Sequence, residues 1–246
     1  MINLKKNILV TGGNSRFCRH LKKSFFGRNI FYSNKKNLNI LDFDQLLKVL
    51  REKKIKIFIH VAALSRPMNI HDKNPCLSIE TNIIGTANVA RACKKLNIKL
   101  IYFSTNYVYP CKKGNYKETD GLLPINNYAW SKLGGECAVQ LLKDSLILRL
   151  AMTDYPFAYK SAIRNAYSSF IYNRDFAKLL PYLLNERGII NIGKKRQSIL
   201  DFAKKNNPKI KGIKILRNKD FPIDSSINVS KFNNLIKKYV KKSSNF

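Results

Sequence analysis

Tyr128 and Lys132 stand four residues apart in "NNYAWSKLGGE", residues 126–136. On a helix, residues four apart share a face. A lone tyrosine, with a pKa near 10, is a poor acid at neutral pH. A neighbouring ammonium stabilises the phenolate and eases the loss of its proton. Given a hydroxyl to hold a carbonyl oxygen, such a pair suits hydride transfer between a nicotinamide and a carbonyl or carbinol carbon. Thr105 supplies that hydroxyl at the end of the apolar run "LIYFST", 23 residues before Tyr128. The spacing alone is a weak signal, because the chain holds 12 Tyr and many Lys. The bland alternative is a surface pair on an ordinary helix. The expectation is Tyr128 as proton donor, Lys132 as its tuner and as the group that reaches the nicotinamide ribose, and Thr105 as carbonyl anchor.

The elements that must position these groups alternate regularly. "NILV", "NIFYS", "IKIFIHVAA", "IKLIYFST" and "SLILRL" read as buried strands. Between them, "FCRHLKKSFF", "LDFDQLLKVLREKK", "NPCLSIETNIIGTANVARACKKLN" and "YAWSKLGGECAVQLLK" read as helices, the second opened by Asp42 and Asp44. Strand–helix alternation implies parallel βαβ units and a sheet covered on both faces. The expected fold class is α/β, a Rossmann-type doubly wound parallel sheet over residues 1–150. Residues 151–246 are expected to form a small substrate lobe on the carboxyl ends of the strands, where such sheets bind ligands. The last helix of that segment is allowed to return to the main domain.

Composition narrows the class. The chain has 246 residues, 45% hydrophobic and 25% charged, which suits a globular protein with a sizeable core. No uncharged apolar run reaches 18 residues, so no membrane span is expected. "MINLKKNILVTGG" does not read as a signal peptide, because its apolar run is short and flows into a glycine turn. Five dispersed Cys without CxxC spacing argue for reduced thiols in a cytoplasm, and against disulfides or a metal site. The net charge of +31 is spread along the whole chain. Without a recognition motif it reads as compositional drift with some benefit for anionic ligands, not as specific nucleic-acid binding.

"VTGGNSRFCRHL" joins the first strand to the first helix, a junction that points backbone N–H groups at an anion. It resembles the TGxxGxxG turn of extended short-chain dehydrogenases/reductases. Thr11 and Gly12 match, while Ser15 and Cys18 stand where that pattern has its second and third glycines, and each carries a Cβ. The resemblance implies a nicotinamide cofactor held by Thr11, Gly12, Gly13, Asn14, Ser15, Arg16 and Phe17. "YSNKKN", with Asn34, Lys35 and Lys36 and no acid, favours the 2′-phosphate of NADPH, with NADH still allowed. "NILDFD" resembles the family's adenine-contacting segment, here Asp42 and Phe43. "HVAALS" resembles the strand end that lines ribose and pyrophosphate, here Val61, Ala62, Ala63 and Ser65. Asn82 matches the helix Asn that braces that strand, and Ser104, Tyr128 and Lys132 complete the cofactor set.

Further stretches are similar to dTDP-4-dehydrorhamnose reductases and their relatives. "STNYVYP" is similar to STDYVFxG with Asn106 for the Asp, "YAWSKLGGE" to YGxSKLxGE, and "FPIDSSINVSKF" to a closing RPxxSxLxxxK. "FIYNRDFAKLLPYLL" is similar to the segment that closes the substrate lobe. The resemblance implies reduction of the 4-keto group of a nucleotide-linked deoxysugar, with Thr105, Asn106, Tyr107 and Met152 toward the substrate. Arg149, Arg164, Arg174 and Lys160 are unranked candidates for its diphosphate. Dehydration is disfavoured, because Asn106 and Tyr107 replace the Asp-Glu that follows the Thr in dehydratases. A 4-epimerase would keep the same triad. A non-catalytic regulatory subunit, like that of methionine adenosyltransferase, is the alternative that Ser15 and Cys18 favour. A homodimer is compatible with the resemblance.

Overall fold

Apolar runs bounded by turns become parallel strands. The structure, a computed structural model, describes residues 6–27, 29–214 and 222–243. The first residues of the opening segment and Phe221 of the closing motif lie outside them. The first half runs β1 (Ile8–Thr11), α1 (Arg16–Ser24), β2 (Ile30–Tyr32), α2 (Phe43–Glu52), β3 (Ile57–His60), α3 (Ile70–Lys73) and α4 (Pro75–Ser78). A π-helical segment (Ile79–Ile84), α5 (Gly85–Lys95), β4 (Lys99–Thr105), α6 (Asn127–Gln140) and β5 (Ser145–Leu150) follow. The rest comprises β6 (Met152–Thr153), β7 (Ser161–Ile163), β8 (Tyr167–Ser168), β9 (Ile171–Tyr172), α7 (Asn173–Leu179), β10 (Gly188–Ile192), β11 (Gln197–Ser198), α8 (Ile199–Lys204), β12 (Lys211–Ile213) and α9 (Ser230–Ser243).

Six strands form the main sheet in the order β10-β5-β4-β3-β1-β2, every pairing parallel. Successive strand side chains point to opposite faces. Ile8, Val10, Ile57, Ile59, Ile101 and Phe103 therefore meet α1, α7 and α9 through Phe17, Leu21, Phe176 and Phe232. Leu9, Phe58, Leu100 and Tyr102 meet α2, α5 and α6 on the other face, through Leu46, Leu50, Val89 and Val139. The order in which strands are added reverses between β1 and β3, and the crevice at their carboxyl ends is the topological switch point. Dividing the chain at residue 150 does not divide the sheet: β10 pairs with β5 from Gly188 to Ile192. The pairs β6–β9, β7–β12 and β8–β11 lie outside this sheet, and β6, β7 and β12 contribute residues to the crevice.

A buried ion pair stitches α6 to the sheet. Arg149 of β5 donates through Nε and Nη2 to Glu136 Oε1 (3.0 and 2.5 Å), with side chains 3% and 4% exposed. Ser104 donates to Glu136 Oε2 (2.7 Å), and Arg149 Nη1 donates to the Tyr109 hydroxyl (2.8 Å) and the Glu118 carbonyl (3.1 Å). This corrects the reading of Arg149 as a diphosphate contact: its donors are spent inside the core. Close packing completes the junction. A Cβ on Gly135 would stand 2.6 Å from both the Asn82 carbonyl oxygen and the Tyr102 hydroxyl, so α6 lies against the π-helical segment only with hydrogen there.

Two stability measurements follow. Removing one partner of a buried pair strands a charge, so Arg149→Met is expected to cost about 3–5 kcal/mol by urea denaturation. The double variant Arg149→Met/Glu136→Leu should recover part of that loss. His60 sits fully buried between the Thr11 (2.8 Å) and Thr86 (3.1 Å) hydroxyls, and burial, with the Lys132 charge second, pushes its pKa down from 6.5 to about 3. Between those values the unfolded chain binds a proton that the folded one refuses. The contribution is complete above pH 6.5 and declines as pH falls toward 3, with a slope of up to about 1.4 kcal/mol per pH unit. Denaturation series from pH 7 to 4 should show a shallower decline for His60→Gln than for wild type.

Candidate active site

The crevice is a cleft of about 710 Å³, a size that takes a dinucleotide fragment or a small ligand. One wall is the β1–α1 turn. Gly12 adopts φ +71°, and a Cβ there would lie 2.9 Å from the Ala62 nitrogen. Only glycine lets this turn approach the end of β3 so closely. Thr11 accepts the Ala62 N–H (3.2 Å) and meets His60 (2.8 Å), so it braces the turn from within, and Gly13 donates to the Ser33 carbonyl (2.7 Å). Asn14 is exposed at the tip. Ser15 is the N-cap of α1, accepting the Cys18 N–H (3.2 Å), and Ser15, Arg16 and Phe17 line the cleft. Cys18 is fully buried against Thr11, its thiol pushed up to about 11 chiefly by burial. A helix N-terminus without acidic residues in its first turn and a glycine bend together fit an anionic pyrophosphate.

The opposite side is built from β3, β4 and α6. Val61, Ala63 and Ser65 line the cleft, while Ala62 is taken up by the Thr11 contact. Asn82, in the π-helical segment, exchanges hydrogen bonds with Leu64 (2.8 and 2.9 Å) and donates to the Ser131 hydroxyl (2.8 Å). Ser131 in turn donates to the Tyr128 carbonyl (2.8 Å). Asn126 caps α6 by accepting the Ala129 N–H (2.8 Å). These bonds fix the first turn of α6 at the cleft wall. Tyr128 and Lys132 both face the cleft, together with Ser104, Thr105, Asn106, Tyr107 and Met152. Thr105 and the Tyr128 phenol line the same stretch of the cleft, close enough for Thr105 to act on the phenol's ionisation.

The electrostatics differ from the expectation of an acidified phenol. Burial pushes the Tyr128 pKa up to about 12, opposed by the Thr105 hydroxyl and the Arg66 guanidinium. Lys132 is 2% exposed, its Nζ lies 4.2 Å from the Tyr102 ring centroid, and burial lowers its pKa to about 7 against the Glu136 charge. Desolvation thus outweighs the pairing anticipated between them, and both groups move toward their neutral forms. The protein without ligand holds a loaded phenol, not a phenolate.

Other sequence candidates lie elsewhere. Asp42 caps α2 by accepting the Gln45 N–H (2.9 Å), and Phe43 carries the Arg91 guanidinium at 4.4 Å. Asn34 accepts the Lys36 N–H (2.9 Å) in a turn whose Lys35 is exposed. None of Asn34, Lys35, Asp42, Phe43 and Asn82 lines the cleft. Asn106 lines it but spends its amide on the Ser225 carbonyl (2.8 Å), tying β4's end to the closing motif. Arg174 stacks on Tyr155 at 3.1 Å, and neither it, Arg164 nor Lys160 lines the cleft. Two groups escaped the sequence reading. Arg66 shares with Arg16 one oxygen of the Asp154 carboxylate, whose other oxygen accepts from Asn173 (2.7 Å). Asp154 carried no motif, and only its place just after a strand end pointed to the cleft. Among the described residues there is no cluster able to hold a metal and no helix long and apolar enough to cross a membrane.

Comparison with known proteins agrees with this architecture. The methionine adenosyltransferase 2 subunit beta of Pongo abelii is 27% identical over 143 residues, 54% of this chain and 42% of that protein. The probable low-salt glycan biosynthesis reductase Agl14 of Haloferax volcanii is 33% identical over 116 residues, 46% of this chain and 38% of that protein. The chain thus spans less than half the length of these curated relatives. The crystal structure of dTDP-4-dehydrorhamnose reductase from Bacillus anthracis in complex with NADP superposes with a TM-score of 0.83 at 24% identity, covering 94% of this chain and 92% of that one. The family model described as RmlD substrate binding domain matches residues 6–168. By that match, which takes in the glycine turn, β3, β4 and the Tyr128–Lys132 helix, the chain belongs to the RmlD substrate binding domain family.

Proposed function

We propose that the protein is an NAD(P)H-dependent reductase of the 4-keto group of a nucleotide-linked deoxysugar. One observation carries this reading: Thr105, Tyr128 and Lys132 meet in a single cleft that opens at the glycine turn. The turn from Gly12 to Phe17 and the wall from Val61 to Ser65 would hold a nicotinamide cofactor, which would supply the hydride. The chain's own groups do the rest. Thr105 holds the carbonyl oxygen by hydrogen bonding. Tyr128, protonated throughout the neutral range, gives that oxygen its proton. Lys132 presents its ammonium to the polyanionic ligand pair, whose charge favours the protonated amine.

The cleft also suits the rest of such a substrate. Arg16 and Arg66 converge on Asp154, and guanidinium pairs of this kind donate to phosphate oxygens as readily as to a carboxylate. Phe157, Tyr159 and Phe170 give the lobe side of the cleft an aromatic lining for a sugar or base. A second reading, a nucleotide-binding regulatory subunit, rests on Ser15, whose hydroxyl already occupies one helix N-terminal donor. Binding of NADPH without turnover of any substrate would favour it. Interconversion of 4-epimers without net consumption of NADPH would favour an epimerase.

The test is a panel of 4-keto-6-deoxy nucleotide sugars with NADPH, followed by loss of the reduced cofactor's absorbance. Tyr128→Phe is expected to lower kcat by about 100-fold or more, the scale of a lost general acid, and to leave NADPH affinity nearly unchanged by thermal-shift titration. Activity at a tenth of wild type would remove the proton-donor role. Because kcat/KM follows ionisation of the free enzyme, it should fall as pH rises through about 7, where buried Lys132 loses its proton. A profile flat to pH 9 would show that the ammonium is not needed.

A further inference from the structure

Tyr128 packs against a second ring that the chemistry above does not use. His71, on α3, is 1% exposed, and its ring centroid lies 5.2 Å from that of Tyr128 with the planes at 56°. That is contact geometry for a tilted aromatic pair. Its Nδ1 shares a 2.7 Å hydrogen bond with the Ser78 hydroxyl, while its Nε2 is buried with no hydrogen-bond partner. An unsatisfied buried nitrogen carries a free-energy cost. A phenylalanine would fill the same space without that cost, so the imidazole has to be accounted for by what it holds.

What it holds is the far side of the Tyr128 ring. Ser78 ends α4, where the chain enters the π-helical segment, and π segments are frequent at functional sites. The same segment supplies Asn82, which secures the Tyr128 backbone through Ser131. Next to His71, Asp72 accepts from Asn127 Nδ2 (2.8 Å), joining α3 to the residue before Tyr128. The backbone and the ring of Tyr128 are therefore gripped from one continuous stretch, Ile70–Ile84, by two separate contacts. Burial keeps the imidazole below its ordinary pKa despite Asp72, so it is neutral at pH 7 and adds no charge to the phenol.

We propose that His71 is a positioning residue for Tyr128: anchored on Ser78, it presses on the phenol ring and keeps the hydroxyl directed at Thr105. The inference rests on the reading of Tyr128 as proton donor, and its test separates the two. With ζ-13C-labelled tyrosine, the Tyr128 signal is assigned by its loss in Tyr128→Phe. His71→Ala should shift that signal and lower kcat by about tenfold, the scale of a misplaced reacting group, with substrate KM within about threefold. His71→Phe, which restores a ring at the same place but not the Ser78 anchor, should recover kcat only in part. Ser78→Ala should move the signal part of the way. An unmoved Tyr128 signal in His71→Ala, or a kcat within twofold of wild type, overturns the proposal. So does a fall in kcat that follows melting temperature in His71→Ala and His71→Phe alike. If the wild type turns over no 4-keto sugar nucleotide yet the signal moves, the contact stands and the reaction reading falls.

Discussion

Everything in the cleft is referred to one buried ion pair. Glu136 and Arg149 bury a carboxylate and a guanidinium together, an arrangement whose desolvation cost is repaid only when every remaining donor and acceptor is engaged. Here they are: Ser104 on β4, the Tyr109 hydroxyl and the Glu118 carbonyl take what the pair leaves open. Tyr109 in turn donates to Asn191 of β10 (3.0 Å), so three neighbouring strands and α6 are joined through one polar network. Glu136 is one helical turn from Lys132, and Lys132 one turn from Tyr128. Fixing Glu136 therefore fixes the rotation of α6, and with it the face that those two side chains present. A wholly apolar junction would hold α6 as firmly, but would allow it to rotate or slide.

Burial sets the resting charges. Tyr128, Lys132 and His60 all move toward their neutral forms, because the cleft wall withholds water from each. Arg16 and Arg66, which line the cleft, share the single carboxylate of Asp154, so this cluster keeps a net positive charge. On the proposed reading, a phenol that keeps its proton is a competent donor to an oxygen that gains charge during reduction, and the driving force comes from the alkoxide that forms, not from an acidified tyrosine at rest.

Much of this was legible in the residues, and the failures have physical reasons. Strand–helix alternation fixes a parallel sheet because each apolar run is short, unbroken and bounded by turns. Thr105, Tyr128 and Lys132 line one cleft because a helix enforces the four-residue spacing and a strand end faces the crevice. Strand β10 pairs with β5 across some forty residues, and no local pattern encodes that pairing. Arg149 invited misreading, because an arginine inside an apolar run advertises either a ligand or a buried partner, and only the fold brings Glu136 to it. His71 gave no signal, since a single histidine in a polar stretch looks solvated. The π-helical segment was read as ordinary helix, because six residues with i→i+5 bonding have no distinct side-chain period.

Ser15 and Cys18 show how a motif can be altered without losing the geometry it encodes. In the glycine turn the tight positions are Gly12, held at positive φ against the end of β3, and Gly13, where a Cβ would lie 2.9 Å from the Ser33 carbonyl oxygen. Both are glycine here. Ser15 falls at the N-cap, where an extended backbone (φ −65°, ψ 158°) accepts any residue and a hydroxyl takes up a helix donor. Cys18 lies one turn into α1, and its small apolar side chain packs against Thr11 with no exposure. The helix still reaches the strand because sulfur fills the space beside β1 without needing a polar partner. Of the four N–H groups that a helix start leaves open, the Ser15 cap uses one. The turn therefore keeps an anion-binding end, and the two departures change how α1 is stabilised without closing the crevice.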